Sequence, residues 1–574
     1  MKEIIFLFII SLLIMLGSNG CSNGDNPSTQ QQSETNISNT ASGTWVTGYY
    51  VMYERDMLPP EEIDWSGLTH IVVARVLANS DGTLNTNFDY DPTNGPALAK
   101  DIAVRAHTAG KKAILMLGGA GNGVQIRDAL TNHRTQFISN LISAMNTYGY
   151  DGLDLDWEDN IDMDLFILFA KELRQAAPNA ILTLPGGPLN INYDTVDPKL
   201  VEVIQYIDQF NLMSYYPTTS WSGSGWYSWH NSPLSGVKPT TPVSIDDSLD
   251  RYVKAGVPKE KLGMGVGFYT ICYNGGITAP NQSTENGVSI VGGDHEYPLS
   301  ELFGTNGAYD ETSRFWDNDA KASYLSLSQS ERHGCRYVSF EDEESLIAKG
   351  DFTRNNKYGG IIIWTINQGH VRSHSQPNFL FQALRKGFIE PNFQRKVGIS
   401  IMQGNSWLKT SSTMQLRALI TGTSNKSLIW SITTPNCGSI TANGLYTAPA
   451  TEKTCSVRAV STADSTQIAD ANMTITNVEW TPQFDISRTG THWVEIAAKD
   501  KDVISLSFDL TDGTTQAISL NYTDYLGYPH FATNFGFPTG GGTYTFHAKS
   551  ANNRSANINL NIPVCSPNSE GICQ

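Results

Sequence analysis

The stretch Tyr150–Asp159, Tyr-Asp-Gly-Leu-Asp-Leu-Asp-Trp-Glu-Asp, sets the tightest limit on what this chain can fold into. Asp154, Asp156 and Glu158 are two positions apart, so on a strand they share one face, while Leu153, Leu155 and Trp157 take the other. Amphipathic helical patterns flank the run on both sides, which makes the strand central rather than peripheral. Three carboxylates on one interior face repel each other and resist desolvation, raising at least one pKa. Folding alone gains nothing from that arrangement. The run therefore reads as a site, against the plainer alternative of an edge strand with a wet acidic face.

Around this strand, short apolar runs alternate with helical stretches, the signature of βα units on a parallel sheet. The strands expected are Trp45–Met52, His70–Val76, Lys112–Leu117, Gly152–Trp157, Ile181–Leu184, Gln209–Tyr215, Leu262–Tyr269 and Gly359–Thr365. Helices are expected over Pro96–Ala109, with Gly110 just past its end, and over Gln125–Tyr148. Eight such strands close a (β/α)8 TIM barrel over residues 44–390. A doubly wound sheet would want a glycine-rich loop after the first strand, and Tyr49-Tyr-Val-Met-Tyr53 is not one. Between the seventh and eighth strands lie about 90 residues, far beyond a crossover, so an α+β insertion is expected over about 272–348.

Past Ile389 the helical period stops. Short alternating strands with turn signals predict two all-β, sandwich-like modules, 394–477 and 478–574. The whole is a multidomain chain of 574 residues. A net charge of −17 disfavours nucleic acid as a partner. Tyr522, Tyr525, Tyr528, Phe531, Phe535 and Phe537 crowd the last module, either as its core or as a sugar-stacking face.

Lys2 and the apolar run Ile4–Leu16 mark residues 1–20 as a signal peptide. Small residues before Cys21 resemble a bacterial lipoprotein processing site, with plain secretion as the alternative. Residues 21–43, almost free of large apolar side chains, would be a flexible tether. The expectation is an exported, surface-anchored or secreted monomer, touching membrane only through a lipid at Cys21. Beyond Cys21 six cysteines remain, an even number that permits disulfides. Cys437–Cys455 and Cys565–Cys573 would close local loops, and Cys272 with Cys335 is a third pairing open to the chain. No cysteine spacing suits zinc, and neither metal nor cofactor is expected.

At the mouth of such a barrel Glu158 would sit just past the fourth strand, with Asp156 and Asp154 progressively deeper. Buried this close, Asp154 and Asp156 would share one proton. Glu158, partly desolvated beside acids, would have a raised pKa and stay protonated near neutral pH, as a general acid requires. Asp151-Gly-Leu-Asp-Leu-Asp-Trp-Glu158 resembles the Asp-x-x-Asp-x-Asp-x-Glu signature of family-18 glycoside hydrolases, the chitinases and their relatives. Tyr49-Tyr50, Leu68-Thr-His70, Gly118-Gly119, Phe210-Asn-Leu-Met-Ser-Tyr215, the block 256–269 and Gly359-Gly-Ile-Ile-Ile-Trp364 resemble other segments of that family. The 272–348 insertion stands where the family carries its chitinase insertion domain, and 394–477 resembles bacterial Ig-like modules.

The resemblance implies a retaining chitinase acting on β-1,4-linked N-acetylglucosamine, in which the substrate's own acetamido group replaces a protein nucleophile. It implies Glu158 as acid and base, Asp156 orienting the acetamido group, Asp154 holding the shared proton and Tyr215 donating to the acetamido carbonyl. Trp364 would floor the −1 subsite, lined by Met213, Tyr49 and Gly119. Tyr216, Arg75, Met116 and Ala120 depart from the family pattern around these positions. An endo-β-N-acetylglucosaminidase of N-glycans and a non-catalytic chitin-binding lectin are the competing readings. The insertion argues against the first, and the intact Glu158 against the second.

Overall fold

The computed structural model describes residues 44–190, 194–216, 225–285, 287–491, 493–510, 514–523 (backbone only from 519), 528–550, 554–566 and 573. The expected signal peptide, Cys21 and the tether to residue 43 lie outside them. Eight parallel strands form the barrel: β1 (Trp45–Val51), β2 (His70–Ala78), β3 (Lys112–Gly118), β4 (Gly152–Asp156), β5 (Ile181–Gly186), β6 (Gln209–Leu212), β7 (Leu262–Gly267) and β8 (Gly360–Trp364). Each pairs with its neighbour in order, and β1 pairs with both β2 (Thr47 opposite His70) and β8 (Trp45 opposite Gly360), so the sheet closes. Closure removes every free edge and turns alternate residues inward.

Alternation along β4 does what its spacing dictates. Leu153, Leu155 and Trp157 face outward into the layer between strands and helices, where Trp157 meets Phe166 of helix Met163–Ala176 at 5.3 Å. That helix starts on Asp162, whose side chain accepts the Asp164 and Leu165 backbone N–H groups. The inward face joins a separate cluster of Tyr49, Val72, Ile114, Met116 and Ile362.

Two elements differ from the sequence expectation. The helix expected over Gln125–Tyr148 is two helices, Gly123–Asn132 and Arg134–Tyr148, broken at His133. Leu130 and Phe137 are seven positions apart and keep the same apolar stripe, so the periodicity carries no mark of the break. Strand β6 ends at Leu212 instead of Tyr215. The Ser214 hydroxyl takes over the ladder there, donating to the Gly265 carbonyl at 3.0 Å and accepting the Gly265 N–H at 2.9 Å.

The insertion after β7 contains a five-stranded antiparallel sheet in the order Ile290–Gly292, Ile271–Tyr273, Tyr337–Phe340, Ala322–Ser326, Arg314–Asp317. A Cys272–Cys335 disulfide ties its first and last segments. Helix Glu343–Asn356, started by a capping box at Asp342, returns the chain to β8.

The next module is built of three small sheets around Leu408, Leu416, Tyr446, Val457, Met473 and the Cys437–Cys455 disulfide. It is fastened to the barrel unit. Met402 and Leu419 belong to the barrel's own apolar cluster. The half-buried Arg417 guanidinium donates to the carbonyls of Gly307 (3.0 Å), Ala308 (3.2 Å) and Tyr309 (2.6 Å) in the insertion. Glu343 accepts the Gly422 N–H at 2.8 Å and pairs with Arg395.

The last module is a seven-stranded antiparallel sheet folded over Phe508, Phe531, Phe537 and Phe546, and Cys565–Cys573 closes its end. Phe531 and Phe537 are therefore core and Phe535 packs against that core, while the side chains of Tyr522 and Tyr525 lie outside the described residues. Tyr528 is half-buried, with the Lys501 ammonium 4.9 Å from its ring centre.

Candidate active site

Asp154, in the middle of β4, is fully buried. Tyr49 on β1 donates its hydroxyl to Oδ2 at 3.0 Å, and Thr183 on β5 donates to Oδ1 at 2.5 Å. Thr183 is placed by register, since Asp154 and Thr183 are direct partners across β4 and β5. Burial raises the Asp154 pKa to about 6, against the pull of the two hydroxyls and with a push from Glu158.

Asp156, one inward position higher, is 4% exposed. Burial first, then the charges of Glu158 and Asp154, hold its carboxyl well above the carboxylate range, with Arg75 opposing them. Asp156 and Glu158 share a side-chain hydrogen bond, which needs one proton between the two. Tyr49 and Thr183 occupy both oxygens of Asp154, and the side-chain hydrogen bond of Asp156 is to Glu158. Oδ1 of Asp156 is buried and has no hydrogen-bond partner.

Glu158 is half-buried just past the end of β4. Burial raises its pKa; the Ala120 backbone N–H, Arg75 and the Asp156 hydrogen bond pull it back, while Asp159 pushes it further up. The turn after β3 shapes the space beside the pair. Gly119 sits at φ +88°, and a methyl there would lie 2.7 Å from Nη1 of Arg75, 3.1 Å from Met116 and 3.5 Å from Oδ2 of Asp156. Its N–H donates to the Asp156 carbonyl at 2.6 Å.

Tyr215 and Trp364 join the barrel interior to the insertion, each packing on the apolar clusters of both. Tyr49 and Trp364 rings are 5.5 Å apart, and Tyr215 meets Tyr269 edge-on at 6.3 Å. Burial, Tyr269, Glu158 and Asp156 raise the Tyr215 pKa, so its hydroxyl keeps its proton as a donor. Met213 is half-buried, with its N–H on the Gly186 carbonyl at 2.8 Å. No contact among the described residues joins Met213 to the acids.

Sequence reasoning missed the residues behind Trp364. Its indole N–H donates to Asp294 Oδ2 at 2.8 Å, and Gln368 donates to Asp294 Oδ1 at 2.5 Å. His295 bonds Glu54 at 2.6 Å, and Glu54 accepts the Thr365 hydroxyl at 2.7 Å. Burial lowers the His295 pKa, but the Glu54 hydrogen bond and Asp294 outweigh it and the net shift is upward. Thr183 left one faint trace in sequence, a polar residue in an otherwise apolar strand; Asp294 left none. Arg75, noted only as a departure, turns out to act on both Asp156 and Glu158.

The sequence model of the glycosyl hydrolases family 18 matches residues 45–369. A probable endochitinase of Caenorhabditis elegans is 25% identical over 368 residues, covering 57% of this chain and 56% of its own length. Chitinase B of Serratia marcescens is 24% identical over 380 residues, covering 52% of this chain and 73% of its own. The crystal structure of chitinase ChiW from a Paenibacillus species, a cell-surface-expressed multi-modular enzyme, shares the fold with a TM-score of 0.52 at 21% identity, over 75% of this chain and 56% of that one. The family match takes in every barrel strand and all the acids of β4, and the chain belongs to glycosyl hydrolases family 18.

Proposed function

We propose that this chain is a chitinase, hydrolysing β-1,4 links between N-acetylglucosamine units with retention of configuration. What carries the reading is the rise of Asp154, Asp156 and Glu158 along one inward face of β4, anchored below by Tyr49 and Thr183 and bordered by Tyr215 and Trp364. Glu158, whose pKa burial raises, takes the proton it shares with Asp156 and gives it to the glycosidic oxygen as the bond breaks. The acetamido oxygen of the −1 sugar attacks the anomeric carbon from the opposite face, forming an oxazolinium ion. Asp156 takes the acetamido N–H on its free oxygen and balances the developing charge, and Tyr215 donates to the acetamido oxygen. Glu158, now a carboxylate, takes a proton from water as that water opens the ring. Trp364, Tyr49, Met213 and Gly119 border the −1 sugar, and Asp154 with its two hydroxyl donors fixes the charge below Asp156. The chitinase names of the relatives support the same substrate class.

The finer organisation belongs to this reading as well: export directed by residues 1–20, a lipid anchor at Cys21, an Ig-like module at 394–477, and action as a monomer on polysaccharide. The test is hydrolysis of a chitin tetrasaccharide and of a high-mannose glycopeptide by the wild type and Glu158→Gln, with the first-formed anomer followed by NMR. Chitin cleavage to the β-anomer, lost in Glu158→Gln, is expected. Glycopeptide cleavage with inert chitin, or an active Glu158→Gln, would sink it.

A further inference from the structure

The acids of β4 face one another without any positive group from their own strand. The groups around the Asp156–Glu158 pair are Asp154 below it, Asp159 beyond it, Tyr49 from β1 and Tyr215 past β6. All are acidic or neutral. Arg75 on β2 is the cation whose charge reaches both members of the pair.

Its position is fixed by geometry. Nε pairs with Asp89 at 2.8 Å, and Nη1 donates to the Gly118 carbonyl at 3.1 Å. Gly119 lies between that nitrogen and Asp156: one added carbon on Gly119 would touch Nη1 at 2.7 Å and lie 3.5 Å from Asp156 Oδ2. The side chain is 27% exposed, so its field is only partly screened.

Resting on the proposed activity, we propose that Arg75 is an electrostatic positioning residue for the Asp156–Glu158 pair, holding a fixed positive charge against it across the Gly118–Gly119 turn. It touches no reacting atom. It opposes the desolvation and the mutual repulsion that raise both carboxyls, and so limits how far either is pushed up. Asp89 divides that charge, so the balance depends on the ion pair and not on Arg75 alone.

The experiment is a titration of Arg75→Met, Arg75→Lys and Asp89→Asn in the full chain. Carboxyl resonances of 13C-labelled Asp and Glu read the pair directly, and the pH dependence of kcat/KM on chitin tetrasaccharide reads it through turnover. Removing the charge in Arg75→Met should move both titrations, and both limbs of the rate profile, upward by roughly half to one pH unit. Arg75→Lys should restore most of the wild-type values. Asp89→Asn should move both downward, since it leaves Arg75 uncompensated. Unmoved titrations in a folded Arg75→Met, or an upward shift in Asp89→Asn, overturn the proposal. Should Arg75→Met fail to fold, Asp89→Asn decides by its direction, no shift counting against. A wild type that cleaves neither substrate defeats the proposed function, while the carboxyl resonances still decide the role of Arg75.

Discussion

Trp364 at the end of β8 donates its indole N–H to Asp294, a residue of the insertion 70 positions earlier in the chain, at 2.8 Å. The barrel therefore supplies the ring, and the insertion fixes its tilt. A hydrogen bond to a charged group is worth about 1.5–3 kcal/mol. Asp294→Ala should lower kcat/KM on chitin oligosaccharides by roughly 10- to 100-fold, mostly through KM, and change the tryptophan fluorescence of the folded protein. Asp294→Asn keeps an acceptor and should lose less; equal losses in the two variants would show that Asp294 acts otherwise.

Asp154 gives stability a definite pH slope. Its folded pKa is about 6, above its ordinary 3.8. Between those values the folded state keeps a proton that the unfolded state has released, so this contribution is complete below pH 4 and is lost as pH rises to about 6. Asp154→Asn carries no such slope. Its melting temperature relative to wild type should climb from pH 4 to 7, by the equivalent of up to about 3 kcal/mol. Parallel curves for the two proteins would contradict the assignment.

Gly119→Ala combines a left-handed backbone with a methyl set against Arg75 and Met116. A loss of about 2–4 kcal/mol is expected, one part from the backbone and one from the clash, together with most of the activity. Gly110, at φ +70° with open space around it, is the control. Gly110→Ala should cost only about 1 kcal/mol in urea denaturation and leave turnover unchanged.

Truncation separates the two C-terminal modules. A chain ending at residue 477 should fold and turn over normally. One ending at residue 392 loses Arg417 from three insertion carbonyls, Met402 and Leu419 from the barrel cluster, and the cations over buried Glu343. Leaving a buried charge unpaired costs about 3–5 kcal/mol by itself. Early aggregation and a fallen melting temperature are expected, read by light scattering during a thermal ramp; two truncations of equal stability would show that the first module is merely attached.

The sequence carried what local periodicity can carry. Short apolar runs between helical stretches exposed all eight strands to within three residues at either end, and the two-residue period put Asp154, Asp156 and Glu158 on one face before any neighbour was known. The disulfide pairs were legible for the same reason where they were local. What stayed hidden was every contact made by partners distant in the chain. Thr183 reaches Asp154 only through strand register, and Asp294 reaches Trp364 only after the insertion folds back over the mouth. The docking of the 394–477 module was hidden too. Its short strands show only an all-β module, because Arg417 looks like a surface arginine until the carbonyls of Gly307, Ala308 and Tyr309 accept from it.

That docking also orders events on a growing chain. Strand β1 waits for β8, more than 300 residues behind it, before the cylinder can close. The insertion then waits for Arg417 and Gly422, which leave the ribosome later still. At roughly 5–20 residues per second, a nascent barrel spends many seconds open, with its acidic strand already made and the closing partner not yet synthesised. Helper proteins that shelter an unfinished sheet edge therefore have their period of use in the interval between the synthesis of β4 and that of Gly422.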